Sequence, residues 1–372
     1  MTRRLSIFAL TVWLAILPGC SDRINLEDIT LTLMTGIDLN EKNELLFYIV
    51  SPVFNKIAKR KVEEFGVRAD SVKQARARMD TLVSALTVEG KTQVLALGKR
   101  LVEHPDWFIL LDTIYRDARV TVNSRIVVVD GPLHDVFHFN PPDKPIIPIH
   151  LTKLLDTANR RNYTVRTTAS ELRSMMADKG ITPSVSEFKK LHAGVEVMGT
   201  SLLDKHGKYA TRLLPKDTVL LQTLTHGKKG ETIITIQVPD HLNPNRLIKP
   251  KLTFFAKDIS RKIKTGYQNG QFEFDVKIKM NISISERLFA FDVTKQRKEL
   301  EKLVKEELAK RYTKLIHQWQ KLQLDPVGFG QYARAYQYKE WKKVEDDWPK
   351  AFSQAKVKVT PIIFIKGNGI ID

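Results

Sequence analysis

The chain of 372 residues carries 60 lysines and arginines against 42 aspartates and glutamates, a net charge of +18, and a single cysteine. One thiol excludes a disulfide framework and a thiolate zinc site, so hydrophobic cores must hold the fold, and a length of this order points to two or three domains. The basic excess favours anionic surfaces; it is spread along the chain, as in KIAKRK (Lys56–Lys61) and KKVEDD (Lys342–Asp347), rather than gathered in one tract.

The chain opens MTRRLSIFALTVWLAILPGC. Arg3 and Arg4 precede an apolar stretch from Leu5 to Leu17, broken by Ser6 and Thr11, and Pro18, Gly19 and Cys20 follow. A basic start, a short apolar run and small residues before a cut site make up a secretory signal. The run falls short of the about 20 residues that a membrane span needs. A cysteine directly after Leu-Pro-Gly resembles the bacterial lipoprotein signal, whose usual Ala, Ser or Thr is replaced here by Pro18. That resemblance implies a signal peptide over 1–19, cleavage between Gly19 and Cys20, and a diacylglycerol joined to the Cys20 sulfur by a thioether. Two acyl chains hold a protein stably at a membrane. Without Arg3 and Arg4 the +18 becomes +16. No cofactor beyond the covalent lipid is expected, and export argues against a nucleic-acid partner.

Ile29–Ile37 and Leu45–Val50 are strand-like, joined by a polar hairpin turn at Asn40–Glu44 and closed by Pro52. Val72, Ala75, Met79, Leu82, Val83 and Leu86 recur at helical spacing, with Asp70 or Ser71 placed to cap the start. Val94–Leu97 predicts a buried strand ended by Gly98. Pro105 opens a helix carrying Trp107, Leu110, Leu111 and Ile114. Ile126–Val129 predicts a second buried strand, ending at Asp130-Gly131. Asn140–Pro148 holds four prolines and predicts an extended linker between domains.

In the second region Thr168–Met176 and Ser184–Leu191 read as helices, and Val195–Val197, Val219–Leu224 and Thr232–Val238 as strands. Pro239–Pro250 predicts another crossing. The third region has the clearest pattern. Phe272, Phe274, Val276, Ile278, Met280, Ile282 and Ile284 alternate with polar residues, the mark of a long strand with one face on a core. A helix over Thr294–Leu324 follows, with a stripe of Leu300, Leu303, Val304, Leu308, Tyr312, Leu315, Ile316, Trp319 and Leu322. Asp325-Pro326, Gly328 and Gly330 end it. Trp341, Val344 and Trp348 predict one more helix, with two indoles seven apart on one face, and Val357–Ile365 a final strand. The expected fold is α+β and multidomain, with mixed β-sheets each packed with helices. Its divisions are an N-terminal α/β domain over 20–140, a middle α+β domain over 141–245 and a C-terminal α+β domain over 246–372.

No catalytic signature is visible. His134 and His138 have the i,i+4 spacing of a helical metal pair but lack a third ligand on that face. Gly227-Lys228-Lys229-Gly230 lacks the spacing and the hydroxyl residue of a phosphate loop. The nucleophile-elbow and zinc-protease motifs are missing.

The two ends of the chain carry further motifs. Asp22-Arg23 and Gly36-Ile37-Asp38 follow the cysteine, and Arg116-Asp117 precedes the strand ending at Asp130-Gly131. The tail reads Asp325-Pro326-Val327-Gly328-Phe329-Gly330, then Trp341, Trp348, Phe352 and a Val357-Lys358-Val359 strand running to Ile365 and Gly367. This set resembles the Ger(x)C family, the C-subunit lipoproteins of bacterial spore germinant receptors. The family's Trp-Asp-Arg motif has Ser21 here in place of the tryptophan. Membership implies three α+β domains, no catalysis, and a place on the outer face of the bacterial cytoplasmic (spore inner) membrane. It also implies two integral-membrane partners, the A and B receptor subunits, in a complex that senses small nutrient germinants. No ligand-binding residue is carried over with the resemblance. The competing classes are a stand-alone solute-binding or adhesive surface lipoprotein and an exported hydrolase.

Overall fold

The computed structural model describes residues 29–54, 57–83, 85–225, 232–239, 249–289, 291–292 and 295–367. Strands β1 (Ile29–Leu31), β2 (Met34–Leu39), β3 (Leu45–Pro52) and β4 (Val62–Arg68) come first. The β2–β3 turn closes because the Asn40 side-chain oxygen accepts the N–H groups of Lys42 and Glu44, at 2.9 and 2.8 Å, while Asn43 takes a left-handed φ of 58°. Helix α1 (Val72–Asp80) starts at Ser71, whose hydroxyl accepts the Gln74 N–H. Leu86, expected on its apolar face, instead begins β5 (Leu86–Val88), the parallel partner of β1.

Next come β6 (Val94–Gly98) and α2 (Lys99–Val102). A 3-10 turn (Trp107–Leu111) and α3 (Asp112–Arg116) stand where one helix was expected after Pro105. They lead to β7 (Arg125–Val129), α4 (Leu133–Phe137), α5 (Ile147–Arg160) and α6 (Ala169–Ala177). Then follow β8 (Ser184–Leu191), β9 (Gly194–Leu203), β10 (Tyr209–Leu213) and α7 (Pro215–Thr225).

Eight of these strands form one sheet in the order β10-β9-β8-β7-β6-β2-β3-β4. The central four, β2, β6, β7 and β8, are parallel, and the flanking strands are antiparallel. On one face Met79, Trp107 and Leu172 pack on Leu95, Leu97, Ile126 and Val128. On the other, Leu133, Phe137, Leu151 and Leu155 pack on Val94, Ala96, Val127 and Val129. Burial on both faces is why β6 and β7 are unbroken apolar runs.

Three expectations are corrected here. Ser184–Leu191 is not a helix but β8. Its apolar residues fall three apart because β8 is covered on both faces: Val185 enters one core and Phe188 the other. Val219–Leu224 is not a strand but part of α7, which is buried all round from Thr218 to Leu224 because it is wedged between the two sheets. The prolines of Asn140–Pro148 do not lead away from the sheet. Pro148 lies in the first turn of α5, where no N–H donor is needed, and α5 folds back over the same sheet. Strands β7 and β8, either side of the expected 140/141 division, pair with each other, Val127–Val129 with Ser186–Phe188.

The remaining elements are β11 (Thr232–Gln237), β12 (Lys251–Gln268), β13 (Gln271–Arg287), α8 (Arg297–Lys321), α9 (Phe329–Tyr336), α10 (Tyr338–Lys342), α11 (Trp348–Ser353) and β14 (Lys356–Gly367). The four strands form a second sheet in sequence order, with only the β13–β14 pair parallel. Thus β11, expected with the middle domain, is the edge of the C-terminal sheet. The alternating residues of β13 are all buried and meet the α8 stripe from Leu300 to Trp319. Strand β12 escapes a period-two pattern because a bulge between Lys257 and Ser260, with Asp258 at φ 50°, swaps its faces midway. Trp341 and Trp348 do not share a helix. A 3-10 turn (Glu345–Asp347) separates α10 from α11, and Pro349 in the first turn of α11 starts the helix afresh. Both indoles are buried all the same.

Candidate functional site

The most constrained polar group in the C-terminal half is Asp325, 2% exposed at the end of the long helix. Helix α8 stops as Gln323 turns left-handed at φ 57°, and Leu324 N–H bonds back to the Trp319 carbonyl. The next six residues wrap around the Asp325 carboxylate. One oxygen accepts the Gly328 N–H at 2.9 Å, and the other accepts the Gly330 N–H and the Trp348 indole N–H, both at 2.9 Å. Gly328 holds φ 80°, a conformation that disfavours any side chain. Phe329 turns inward, stacking on Phe352 (5.7 Å) and meeting Phe274 (4.8 Å). Burial pushes Asp325 up to about 6, against the pull of the indole and the backbone donors.

The same turn grips the first sheet. The Thr182 N–H bonds the Asp325 carbonyl at 2.8 Å, and the Asp325 N–H bonds the Thr182 hydroxyl at 2.6 Å. Gly180 and Gly330 lie back to back: a Cβ on Gly330 would sit 2.6 Å from the Gly180 Cα and from Trp348 Nε1. Around this contact Asp178 accepts Gln331 (3.0 Å) and Arg334 (3.0 Å), and Lys179 pairs with Asp346 (2.6 Å). Burial alone would raise Asp178. The Gly180 N–H, Gln331 and Arg334 outweigh it and hold the carboxyl below its usual range. The residues from Asp178 to Thr182, just before β8, are therefore a joint between the two sheets.

A second constellation centres on Glu187 of β8, which is fully buried. It accepts Ser201 (2.7 Å), Tyr209 (3.1 Å) and Arg212 (2.9 Å), with Lys99 at 3.8 Å. Asp130, after β7, pairs with Arg212 and Lys99, both at 3.3 Å. Burial and the neighbouring Glu187 push the Tyr209 phenol up.

The structure thus gathers Asp325, Gly328, Phe329, Gly330 and Trp348 at one point. Trp341 is buried apart from them, under Arg334 at 5.5 Å, and Gly367 ends β14 opposite Ser283. Gly19, Cys20, Asp22-Arg23 and Gly227–Gly230 lie outside the described residues. The His134 and His138 rings lie 4.1 Å apart, and no group of three metal-ligating side chains occurs among the described residues. Sequence reasoning missed Thr182, Gly180 and Glu187. The Gly-Ile-Thr-Pro stretch at 180–183 was the available signal for the joint, since glycine and proline flank a threonine just before an apolar run.

Two family profiles match nearly end to end. The one described as "Spore germination protein N-terminal domain" matches residues 22–190, and "Spore germination B3/ GerAC like, C-terminal" matches 198–369. The chain belongs to the Ger(x)C family. Among similar proteins, the "Spore germination protein GerQC" of Bacillus cereus is 20% identical over 100% of both chains. The "Spore germination protein KC" of Bacillus subtilis (strain 168) is 20% identical over 95% of this chain and 93% of its own. The crystal structure of the GerBC protein shares the fold, with a TM-score of 0.57 over 89% of this chain and 96% of that one, at 17% identity. In Ger(x)C terms the joint unites the two profiles, since Thr182 falls in the first and Asp325 in the second.

Proposed function

We propose that the chain is a lipid-anchored, non-catalytic subunit of a spore germinant receptor complex, needed for nutrient-triggered germination. The observation that carries this reading is the match of both Ger(x)C profiles across 22–190 and 198–369, with relatives named as spore germination proteins. The Cys20 thioether lipid would hold the body at the outer face of the spore inner membrane beside integral-membrane A and B subunits. Among the described residues no helix is long and apolar enough to cross a membrane, which is compatible with attachment through lipid. The buried carboxylates support a structural role: Asp325 and Glu187 each engage several donors.

Pull-down of the tagged chain from detergent-solubilised spore membranes tests this. Multi-span membrane proteins should copurify, and Cys20→Ala should leave an unlipidated precursor. Recovery of the chain alone, and only from growing cells, would reject the germination role. Unchanged processing and membrane attachment of Cys20→Ala would reject the lipid anchor.

A further inference from the structure

The eight-stranded sheet changes direction of growth at β2: the chain continues to β3 on one side and returns to β6 on the other. Crevices outside the carboxyl ends of parallel strands, at such a point, are where open sheets hold ligands. A cavity of about 630 Å³ lies there, within the range of small-molecule sites. Its walls come from the ends of three parallel strands: Asp38 of β2, Lys99 and Arg100 after β6, and Asp130 after β7. Tyr48 of β3 closes one side.

The charges in the cavity do not balance. Asp38, Glu41, Glu103 and Asp130 face Lys99 and Arg100. Asp130 takes Lys99 and Arg212, both at 3.3 Å, with Lys189 at 3.9 Å, and Arg100 lies 3.7 Å from Glu41. Among the described residues Asp38 and Glu103 have no cationic side chain within ion-pair distance, and Arg100 acts on Asp38 only from farther off. Asp38 is 8% exposed and accepts the Leu39 and Leu133 N–H groups, one on each oxygen, at 2.8 and 2.9 Å. Each carboxylate oxygen keeps a further lone pair.

Tyr48 is a separate observation. Its side chain belongs to a residue only 7% exposed, and its ring is held against Phe137 at 5.2 Å. No described residue hydrogen-bonds its hydroxyl, yet that hydroxyl lies close enough to Asp38 and Asp135 to feel both charges. The hydroxyl is open to the cavity, where a ligand donor can reach it.

We propose that this cavity binds a small organic cation, its ammonium charge offset by Asp38 and Glu103 and its N–H donating to the Tyr48 hydroxyl. The inference does not rest on the receptor reading, because binding to this chain needs no partner.

Calorimetric titration of the full-length chain in detergent with 1,4-diaminobutane tests it, with succinate as the dianionic control. Saturable one-to-one binding of the diamine is expected, and none of succinate. Tyr48→Phe and Glu103→Gln should each weaken binding about fivefold or more, the equivalent of one hydrogen bond. The melting temperature of Tyr48→Phe should stay that of the parent, because the hydroxyl bonds nothing in the protein. Absence of saturable heat up to about 10 mM diamine, preference for succinate, or parent-like binding by both variants would overturn the proposal. Each of those results would leave the pull-down from spore membranes unaffected, so the two readings fail separately.

Discussion

Replacing Asp325 with alanine removes the acceptor of three N–H groups at once: Gly328, Gly330 and the Trp348 indole. Each orphaned buried donor costs about 1–3 kcal/mol. Against this, the variant no longer buries a charge. The parent carboxyl titrates at about 6 rather than its ordinary 3.8, so ionised Asp325 costs the native state about 3 kcal/mol at neutral pH. Three donors total about 3–9 kcal/mol, so the difference leaves Asp325→Ala destabilised by about 3 kcal/mol at neutral pH, in the middle of a span of about 0–6. The pH dependence gives a second signature. A carboxyl whose folded pKa is raised binds its proton more tightly in the native state. Its contribution is complete below 3.8 and is lost as pH rises through about 6. The parent therefore gains about 1 kcal/mol from this group between about pH 7.5 and about pH 5, and alanine gains nothing, so the penalty should grow on acidification. Urea unfolding followed by tryptophan emission measures both, because Trp319, Trp341 and Trp348 all lie in the C-terminal core. A penalty that stays flat or shrinks from about pH 7.5 toward about pH 5 would refute the reasoning.

Gly330→Ala should cost about 1–3 kcal/mol by overpacking against Gly180. Gly180→Ala separates the same two backbones, so the double variant should lose less than the sum of the singles in the same unfolding assay. Arg212→Ala leaves fully buried Glu187 with Lys99 at 3.8 Å as its remaining cation and should cost about 3–5 kcal/mol. Adding Glu187→Gln to that variant should recover part of the loss, read as a rise in melting temperature. Trp341→Ala empties a buried site and should lower C-terminal stability by about 3–5 kcal/mol. A melting curve superimposable on the parent's would remove the core role assigned to this indole.

What could be read from the sequence was what one period determines locally. Strand β13 alternates without interruption over its buried face, and α8 keeps one stripe from Leu300 to Trp319, so both were legible. The hairpin at Asn40 was legible because asparagine chemistry closes it without help from elsewhere. Where the period breaks, the reading breaks with it. Cores on both faces of β8 draw Val185 to one side and Phe188 to the other, a threefold spacing that mimics a helix, and the bulge at Lys257–Ser260 hides most of an eighteen-residue strand. Helix α7 failed in the opposite way: apolar contacts on every side erase its periodicity, and a short apolar run cannot then be told from a strand.

The turn from Asp325 to Gly330 stood out as a motif, but its purpose is not contained in those six residues. Half of the joint comes from residues 178–182, nearly 150 positions away, and Gly330 is restricted to glycine by another glycine's backbone rather than by its own φ. Gly328 is different, since its φ of 80° makes it a local requirement of the turn. The two glycines of one motif therefore answer to different constraints. A substitution at Gly328 should strain the C-terminal turn itself, whereas one at Gly330 should act on the contact between the two sheets. That distinction ties the motif to the two-part architecture: the buried carboxylate organises a loop whose outer surface is shaped to receive Gly180 and Thr182.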